Sequence, residues 1–103
     1  MNSVEAIGQF MARALDDARI GPLHISVFVA IVYLQSVQGG GRCVEISARK
    51  LMPVAKIGGL APYHRVIRQL HAYGYIKYEP SYNPEIPSRV FIVDQVHSPG
   101  RRP

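Results

Sequence analysis

The side chains best suited to chemistry lie together near the middle of the chain, in the stretch "HRVIRQ". Arg65 and Arg68 are three residues apart, so on a helix they share one side. An arginine can donate two parallel hydrogen bonds to guanine or grip a phosphate, and Gln69 can pair with adenine. His64 can donate to a phosphate or a base. These residue types suit contact with nucleic acid.

Metal binding and catalysis are the rival uses of such residues. Of the histidines in the sequence, His64 and His71 share a face two turns apart, with no carboxylate or cysteine nearby to complete a metal site. The single cysteine, Cys43, excludes an internal disulfide and a Cys-x-x-Cys zinc site. No Ser-His-Asp order, phosphate-binding loop or carboxylate pair is apparent. The sequence therefore predicts no enzyme, no metal and no cofactor.

Positive charge is concentrated around the same stretch. The chain of 103 residues has 12 basic and 7 acidic residues, a net charge of +5. Residues 1–41 carry a net charge of −1, residues 42–78 a net charge of +6, and residues 79–103 a net charge of zero. Such clustering favours an acidic partner, with nucleic acid first and an anionic membrane surface second.

Two helices are predicted before this basic segment. Ser3 can cap the first helix, which ends before Gly21-Pro22. Its apolar stripe is predicted either to face the core or to meet a second copy of the chain, and consists of Val4, Ile7, Met11, Ala14, Leu15 and Ala18. The second helix runs from Pro22 to about Gln38 and is apolar all round in "VFVAIVYL". Its length favours a buried central helix, although propensity alone also allows a strand.

A short helix is predicted next, after a strand at "RCVEI". Ser47 is its N-cap, and Leu51, Val54 and Ala55 are expected to point inward along "ARKLMPVAKI". Pro53 lies inside this helix and should bend or shorten it, because proline has no N–H to donate.

The basic segment itself predicts an amphipathic helix over residues 60–73. Gly59 is the expected N-cap and Gly74 the residue that ends the helix. The inward arc of about 120° holds Tyr63, Val66, Ile67, Leu70, Tyr73 and Gly74. Strands are predicted at "YIKYEP" and "SRVFIVDQV", joined by the loop "SYNPEIP", and residues 97–103 read as a flexible basic tail.

The stretch "ISARKLMPVAKIGGLAPYHRVIRQLHAYGYIKYEP…SRVFIV" resembles the winged helix-turn-helix family, over about Pro22 to Val93. It looks most like the short regulators of bacterial chromosomes and mobile elements. The resemblance implies an α+β fold, with a helical N-terminal part and a small antiparallel β-hairpin wing. It divides the chain into an N-terminal helix (residues 1–20), a winged domain (residues 21–96) and the tail (residues 97–103).

By this resemblance, the helix over residues 60–73 would enter the major groove, the preceding helix would cross the phosphate backbone, and the hairpin would contact DNA at its loop. The implied DNA-binding residues are Ser47, Arg49, Lys50 and Lys56 at the backbone, Pro62, His64, Arg65, Arg68 and Gln69 in the groove, and Tyr82 and Arg89 in the wing.

The function implied is sequence-specific binding of double-stranded DNA in the bacterial cytoplasm, by a transcriptional regulator or by an accessory factor in plasmid or mobile-element replication or recombination. A homodimer through the first helix would suit half-sites about 34 Å apart. The alternative left open is a winged-helix module that binds another protein instead of DNA. No signal peptide, membrane-spanning run or small-molecule effector pocket is evident in the sequence.

Overall fold

The computed structural model describes residues 2–94, which form an α+β fold of helices around a small sheet. In chain order the elements are α1 (Ser3–Ala14), α2 (Pro22–Val37), β1 (Cys43–Ile46), α3 (Ala48–Ala55), α4 (Leu60–Ala72), β2 (Ile76–Glu79) and β3 (Ser88–Ile92). The predicted α+β class is confirmed. The expected tail over residues 97–103 and the end of the second domain at residue 96 lie outside the described residues.

The sheet is antiparallel, with β3 between β1 and β2. Val90 of β3 is paired with Val44 on one side and Tyr78 on the other, which fixes the register of all three strands. Val44 and Val90 are fully buried, so one face of the sheet closes the core. The predicted hairpin of β2 and β3 therefore has β1 as a third strand, a pairing that the sequence pattern alone did not indicate.

α2 is the central helix, as predicted. Val27, Phe28 and Ile31 are fully buried within one core that includes side chains from every helix and strand. The helix ends at a left-handed turn, where Gly39 and Gly40 have φ angles of 103° and 80°. Such angles strain residues with a Cβ, which explains the glycines there.

α1 packs on α2 with only part of its predicted stripe, because Ala14 is buried and Ile7 is packed against the core while the other stripe residues are exposed. Its buried residues are Ala6, Phe10 and Ala14, whereas Val4 and Leu15 are 82% and 83% exposed. The reason is a tertiary contact: the ring of Phe10 stacks on Phe28 at 4.1 Å between centroids and 13° between planes. This contact turns Phe10 into the core and leaves much of the stripe outside.

The predicted N-cap of α1, Ser3, is wrong. The N-cap is Asn2. The Glu5 N–H donates to Asn2 Oδ1 at 2.8 Å, and the Asn2 N–H donates to Glu5 Oε1 at 3.1 Å. This reciprocal pair needs the acidic residue three positions after the cap, and Asn2 satisfies that spacing while Ser3 does not.

α1 and α2 form an antiparallel hairpin. The end of α1 and the start of α2 both lie against Tyr73 and Gly74, directly after α4. Arg13, near the end of α1, donates to the carbonyl oxygens of Tyr73 and Gly74. His24, in the first turn of α2, lies 6.1 Å from Tyr73 between ring centroids. The stacked Phe10 and Phe28 then lie further along the hairpin.

The turn between these helices is fixed by a charged cluster. Arg19 donates to both carboxylate oxygens of Asp17 at 2.8 Å, and the buried Tyr75 hydroxyl donates to Asp17 Oδ2 at 2.8 Å. The hydrogen bonds from Arg19, more than that from Tyr75, hold the pKa of Asp17 well below its usual range. Burial raises the pKa of Tyr75 to about 12, with the bond to Asp17 adding to the effect.

This cluster predicts how stability responds to acid. Because the folded-state pKa of Asp17 is lowered, its contribution is present above the unfolded pKa of about 3.9 and is lost as the pH falls further. We expect Asp17→Asn to lower the free energy of unfolding at pH 7 and to flatten its decline below about pH 4. Urea unfolding followed by circular dichroism at several pH values measures both effects. The exposed neighbour gives a matched control, Asp16→Asn, and equal acid dependence in both variants would contradict the assignment.

Candidate nucleic-acid interface

α4 starts abruptly because of Gly59 and Pro62. A Ser or Thr N-cap normally accepts a hydrogen bond from the N–H two or three positions later, but Pro62, at the third position, has no N–H. A Cβ at Gly59 would also lie 3.2 Å from Cδ and 3.3 Å from Cγ of Pro62. Glycine therefore serves as the cap, and the proline ring packs over it.

The other end of α4 is held by backbone bonds and by α1. The Tyr75 N–H donates to Leu70 O at 2.9 Å and the Gly74 N–H to His71 O at 3.1 Å, which requires the left-handed φ of 86° at Gly74. Arg13 of α1 donates to the same turn at Gly74 O, 3.2 Å away. Both ends of α4 are thus positioned as predicted.

The two sides of α4 differ sharply. The inward side chains are the predicted Tyr63, Val66, Ile67 and Leu70, all buried. Burial raises the pKa of Tyr63 to about 12. The outward side chains include His64, Arg65 and Arg68, with Ala61 and Ala72 on the same exposed side as the arginines. Small residues beside the arginines leave room for another surface to approach closely.

The arginines of α4 have no carboxylate partner in the described part of the chain. Within residues 2–94 the ion pairs are Arg19 with Asp17, Lys77 with Glu79 and Arg89 with Glu79. None of the five cations of α3, the residue after it and α4 takes part, namely Arg49, Lys50, Lys56, Arg65 and Arg68. Their charges are therefore compensated by solvent and available to an anionic ligand.

α3 carries the second group of predicted contacts. Ser47 caps the helix by accepting the Lys50 N–H at 3.2 Å, so its hydroxyl already has a structural role. Arg49 and Lys50 are exposed in the first turn. At the other end, Ser26 of α2 donates to Ala55 O, which ties the end of α3 to the central helix.

The remaining features of α3 differ partly from expectation. The helix includes Pro53 but ends at Ala55, two residues before the predicted end. Val54 is half-exposed and not inward, because it lies about 100° around the helix from Ala55. Lys56 follows in the left-handed region, with φ at 62°, and its side chain is exposed. A lysine costs about 1–2 kcal/mol in this conformation, which a glycine would not.

Gln69 is hydrogen-bonded to His24, a residue of α2 that was not among the predicted site residues. The Gly21 N–H donates to His24 Nδ1 at 2.9 Å, so neutral His24 carries its proton on Nε2. That nitrogen lies 2.7 Å from Gln69 Oε1 and donates to it. Gln69 is therefore held against α2, with an oxygen lone pair already occupied. The partners are 45 residues apart, and no local pattern signals the pairing.

Arg89 is also engaged, in the sheet. Its guanidinium donates to Glu79 Oε1 at 2.8 Å, and the register places Glu45 on the other neighbouring strand directly opposite it. Arg89 is thus ion-paired with Glu79 and has a second acidic residue at the opposite position of the neighbouring strand. Tyr82, by contrast, is 89% exposed in the loop between β2 and β3.

The loop, α3 and α4 meet at a cleft of about 240 Å³. Its lining includes Ser47 at the start of α3, His64 of α4, and Asn83 and Ser88 at the hairpin. The Ser81 N–H donates to Ser88 Oγ at 3.0 Å, and the Glu85 N–H donates to Asn83 Oδ1 at 2.9 Å, so the loop has internal support. The structure therefore brings one predicted backbone contact, Ser47, and one predicted groove contact, His64, to the same cleft beside the hairpin loop. The predicted loop contacts Tyr82 and Arg89 do not line it.

Neither a candidate metal site nor a membrane-spanning helix occurs in the described residues. Residues 2–94 contain no group of three His, Cys, Asp or Glu side chains arranged to hold a metal ion. No helix among them is both long and apolar enough to cross a membrane. No protein-family model, curated protein or solved structure matches the chain. The geometry above is accordingly the basis for a functional assignment.

Proposed function

We propose that the protein binds double-stranded DNA and that α4 enters the major groove. The observation that carries this proposal is the outward side of α4, where Arg65 and Arg68 are exposed, unpaired with any carboxylate in residues 2–94, and flanked by alanines. The opposite side is anchored by four buried residues, so the arginines stand on a rigid element. An arginine so placed can bond guanine bidentately.

The proposed fold family is the winged helix-turn-helix. Its support is the succession of α3, a turn through Gly58 and Gly59, the amphipathic α4, and the hairpin of β2 and β3. In that arrangement α3 lies beside the DNA backbone, with Arg49 and Lys50 contacting phosphates, and His64 and Lys56 adding contacts at the edges. Such a protein suits regulation of transcription, or replication or recombination of a mobile element.

Three predicted contacts have a smaller part in the proposal. Gln69 is bonded to His24, which hinders the paired donor and acceptor contact that adenine requires. The charge of Arg89 is neutralised by Glu79, and Glu45 lies opposite it in the register. A phosphate that approached Arg89 would therefore also approach these carboxylates and be repelled by them. Ser47 acts chiefly as the cap of α3. Tyr82 is the exposed group of the hairpin loop and the better candidate there for a minor-groove or phosphate contact.

Binding is expected to depend strongly on salt. Five exposed cations lie on α3, on Lys56 directly after it and on α4. Neutralising about five phosphates gives a slope of log K against log salt near −4 to −5. Fluorescence anisotropy with a labelled duplex, from about 50 to 300 mM salt, measures this slope. A flat response, or no binding at the lowest salt, would remove the proposal.

A protein partner at the same surface is the second candidate. Exposed apolar groups near the cations favour it, since Leu60, Tyr82 and Ile86 are 58%, 89% and 57% exposed. Aromatic and aliphatic anchors of this kind dominate protein interfaces. Loss of partner binding in Tyr82→Ala and Ile86→Ala, with no retention of any duplex by the wild type, would favour this candidate over DNA.

A further inference from the structure

The hairpin of α1 and α2 has an uncovered apolar side. Five of its side chains point away from the core of the domain, and we call them the hairpin face: Val4, Met11, Leu15, Val29 and Tyr33. Their exposed fractions range from 39% for Met11 to 83% for Leu15. The stripe predicted for α1 supplies three of these residues, and α2 supplies the other two.

These residues lie on the same side because of the stacked pair. Phe10 and Phe28 face each other across an antiparallel hairpin. Met11 and Val29 each follow one of those rings, so each is rotated about 100° from the contact. In two right-handed helices that run in opposite directions, this rotation turns both residues toward the same side of the pair. Val4, Leu15 and Tyr33 are rotated by about 120° to 140° and adjoin them.

The hairpin face is large enough to be an interface. Its exposed apolar area is on the order of 500 Å², at the upper end of what monomers expose. A standard interface buries about 800 Å² on each partner, of which somewhat more than half is apolar. The apolar area of the face therefore matches one side of such an interface.

Charge indicates that the occupant is a second copy of the chain. The protein has a net charge of +5, so contact between most parts of two copies brings like charges together. α2 has no charged residue at all, and Arg13 and Arg19 of the hairpin are engaged with carbonyl groups and with Asp17. The hairpin face has no charged side chain with which a different protein could form ion pairs. Two copies of the chain can meet there without repulsion between like charges.

We propose that two copies pair through the hairpin face, α1 and α2 of one against α1 and α2 of the other. A two-fold axis within the contact lets each residue meet the partner's equivalent surface. Gly8, also outward on α1, has no atom within 4 Å of the position of an added Cβ, so a second backbone can approach there.

This pairing leaves α4 of both copies uncovered. His24, which contacts Gln69 of α4, lies about 140° around α2 from Val29 and about 180° from Tyr33. The hairpin face and the arginine side are therefore on opposite sides of α2. If the proposed function holds, the dimer presents its two basic surfaces outward and holds two DNA segments, in contrast to half-sites one helical turn apart on one duplex.

Sedimentation velocity over about 1 to 100 µM protein tests the pairing, with Leu15→Glu and Tyr33→Glu as variants. Both sites are more than half exposed, so folding should persist, and circular dichroism verifies it. Ile86→Glu is the matched control, since Ile86 is similarly exposed but lies in the β2–β3 loop. We expect wild type and control to dimerise at tens of micromolar, and both hairpin variants to raise the dimer Kd at least tenfold.

A wild type that stays monomeric at 100 µM, or a hairpin variant that dimerises like the control, would overturn the pairing. The result is separable from the fate of the DNA proposal. An apolar interface should not weaken as salt rises, whereas DNA binding should weaken steeply. Folded monomeric variants should also retain the wild-type affinity for a single short duplex.

Discussion

Phe10→Ala is expected to lower the free energy of unfolding by about 3 to 5 kcal/mol, which for a domain of this size approaches the whole of its stability. Phe10 is fully buried between Phe28, at 4.1 Å, and Tyr75, at 5.0 Å between ring centroids. Its removal leaves a cavity where α1, α2 and the turn after α4 meet. The loss combines the transfer free energy of the ring with the cost of that cavity.

Urea unfolding at a few micromolar protein measures this loss, and an exposed site on α2 provides the control. Val37 is 63% exposed, so Val37→Ala should change the free energy of unfolding by no more than about 0.5 kcal/mol. If Phe10→Ala cost as little as the control, α1 would not be part of the core. The predicted separation of α1 as a dimerisation arm would then be the better description.

Arg65→Ala and Arg68→Ala are each expected to weaken binding to a preferred duplex by about 1 to 3 kcal/mol, or roughly 5- to 150-fold. Each arginine is exposed on the outward side of α4 and has no ion pair within the described chain, so the variant loses contacts with DNA and none within the protein. Stability should be nearly unchanged, because exposed charges contribute little to it.

Anisotropy titrations at one salt concentration give the affinities, and circular dichroism confirms that each variant is folded. Arg89→Ala serves as a comparison within the same surface. Its guanidinium is paired with Glu79, and Glu45 lies opposite Arg89 in the strand register, so its removal should change affinity less than that of either α4 arginine. An Arg89→Ala loss larger than both would move the interface from α4 to the sheet.

The position of α4 could be predicted from the sequence because its determinants are local. Gly59 and Pro62 define its start, and Gly74 needs the left-handed φ that ends it. The inward residues follow helical spacing, so the outward placement of Arg65 and Arg68 follows as well. The central position of α2 was likewise predicted by its uncharged, apolar sequence.

The orientation of α1 could not be predicted in the same way. Its apolar residues spread over more than half of its circumference, and spacing alone does not tell which part is covered. The contact that decides is between Phe10 and Phe28, which are distant in sequence. The side chain of Phe10 is the largest apolar one in α1, and that was the available signal.

Tertiary structure also determines which predicted site residues already have a partner within the protein. Arg89 is paired with Glu79 through strand register, and Gln69 is bonded to His24 through the packing of α4 on α2. Neither partner is close enough in sequence for a pattern to show it. Residue type therefore predicted which side chains could contact DNA, and the fold shows which of them are already occupied.

The central claim is that α4 contacts base edges and determines sequence preference, while α3 contacts the phosphate backbone. Selection of bound duplexes from a random pool, followed by sequencing, tests it on wild type, Arg65→Ala, Arg68→Ala and Lys50→Ala. We predict that each α4 variant loses preference at one or two base positions and keeps the rest. Lys50→Ala should keep the whole preferred sequence, with weaker binding to all duplexes and a salt slope reduced by about one unit. Unchanged base preference in both α4 variants, with altered preference in Lys50→Ala, would contradict the claim.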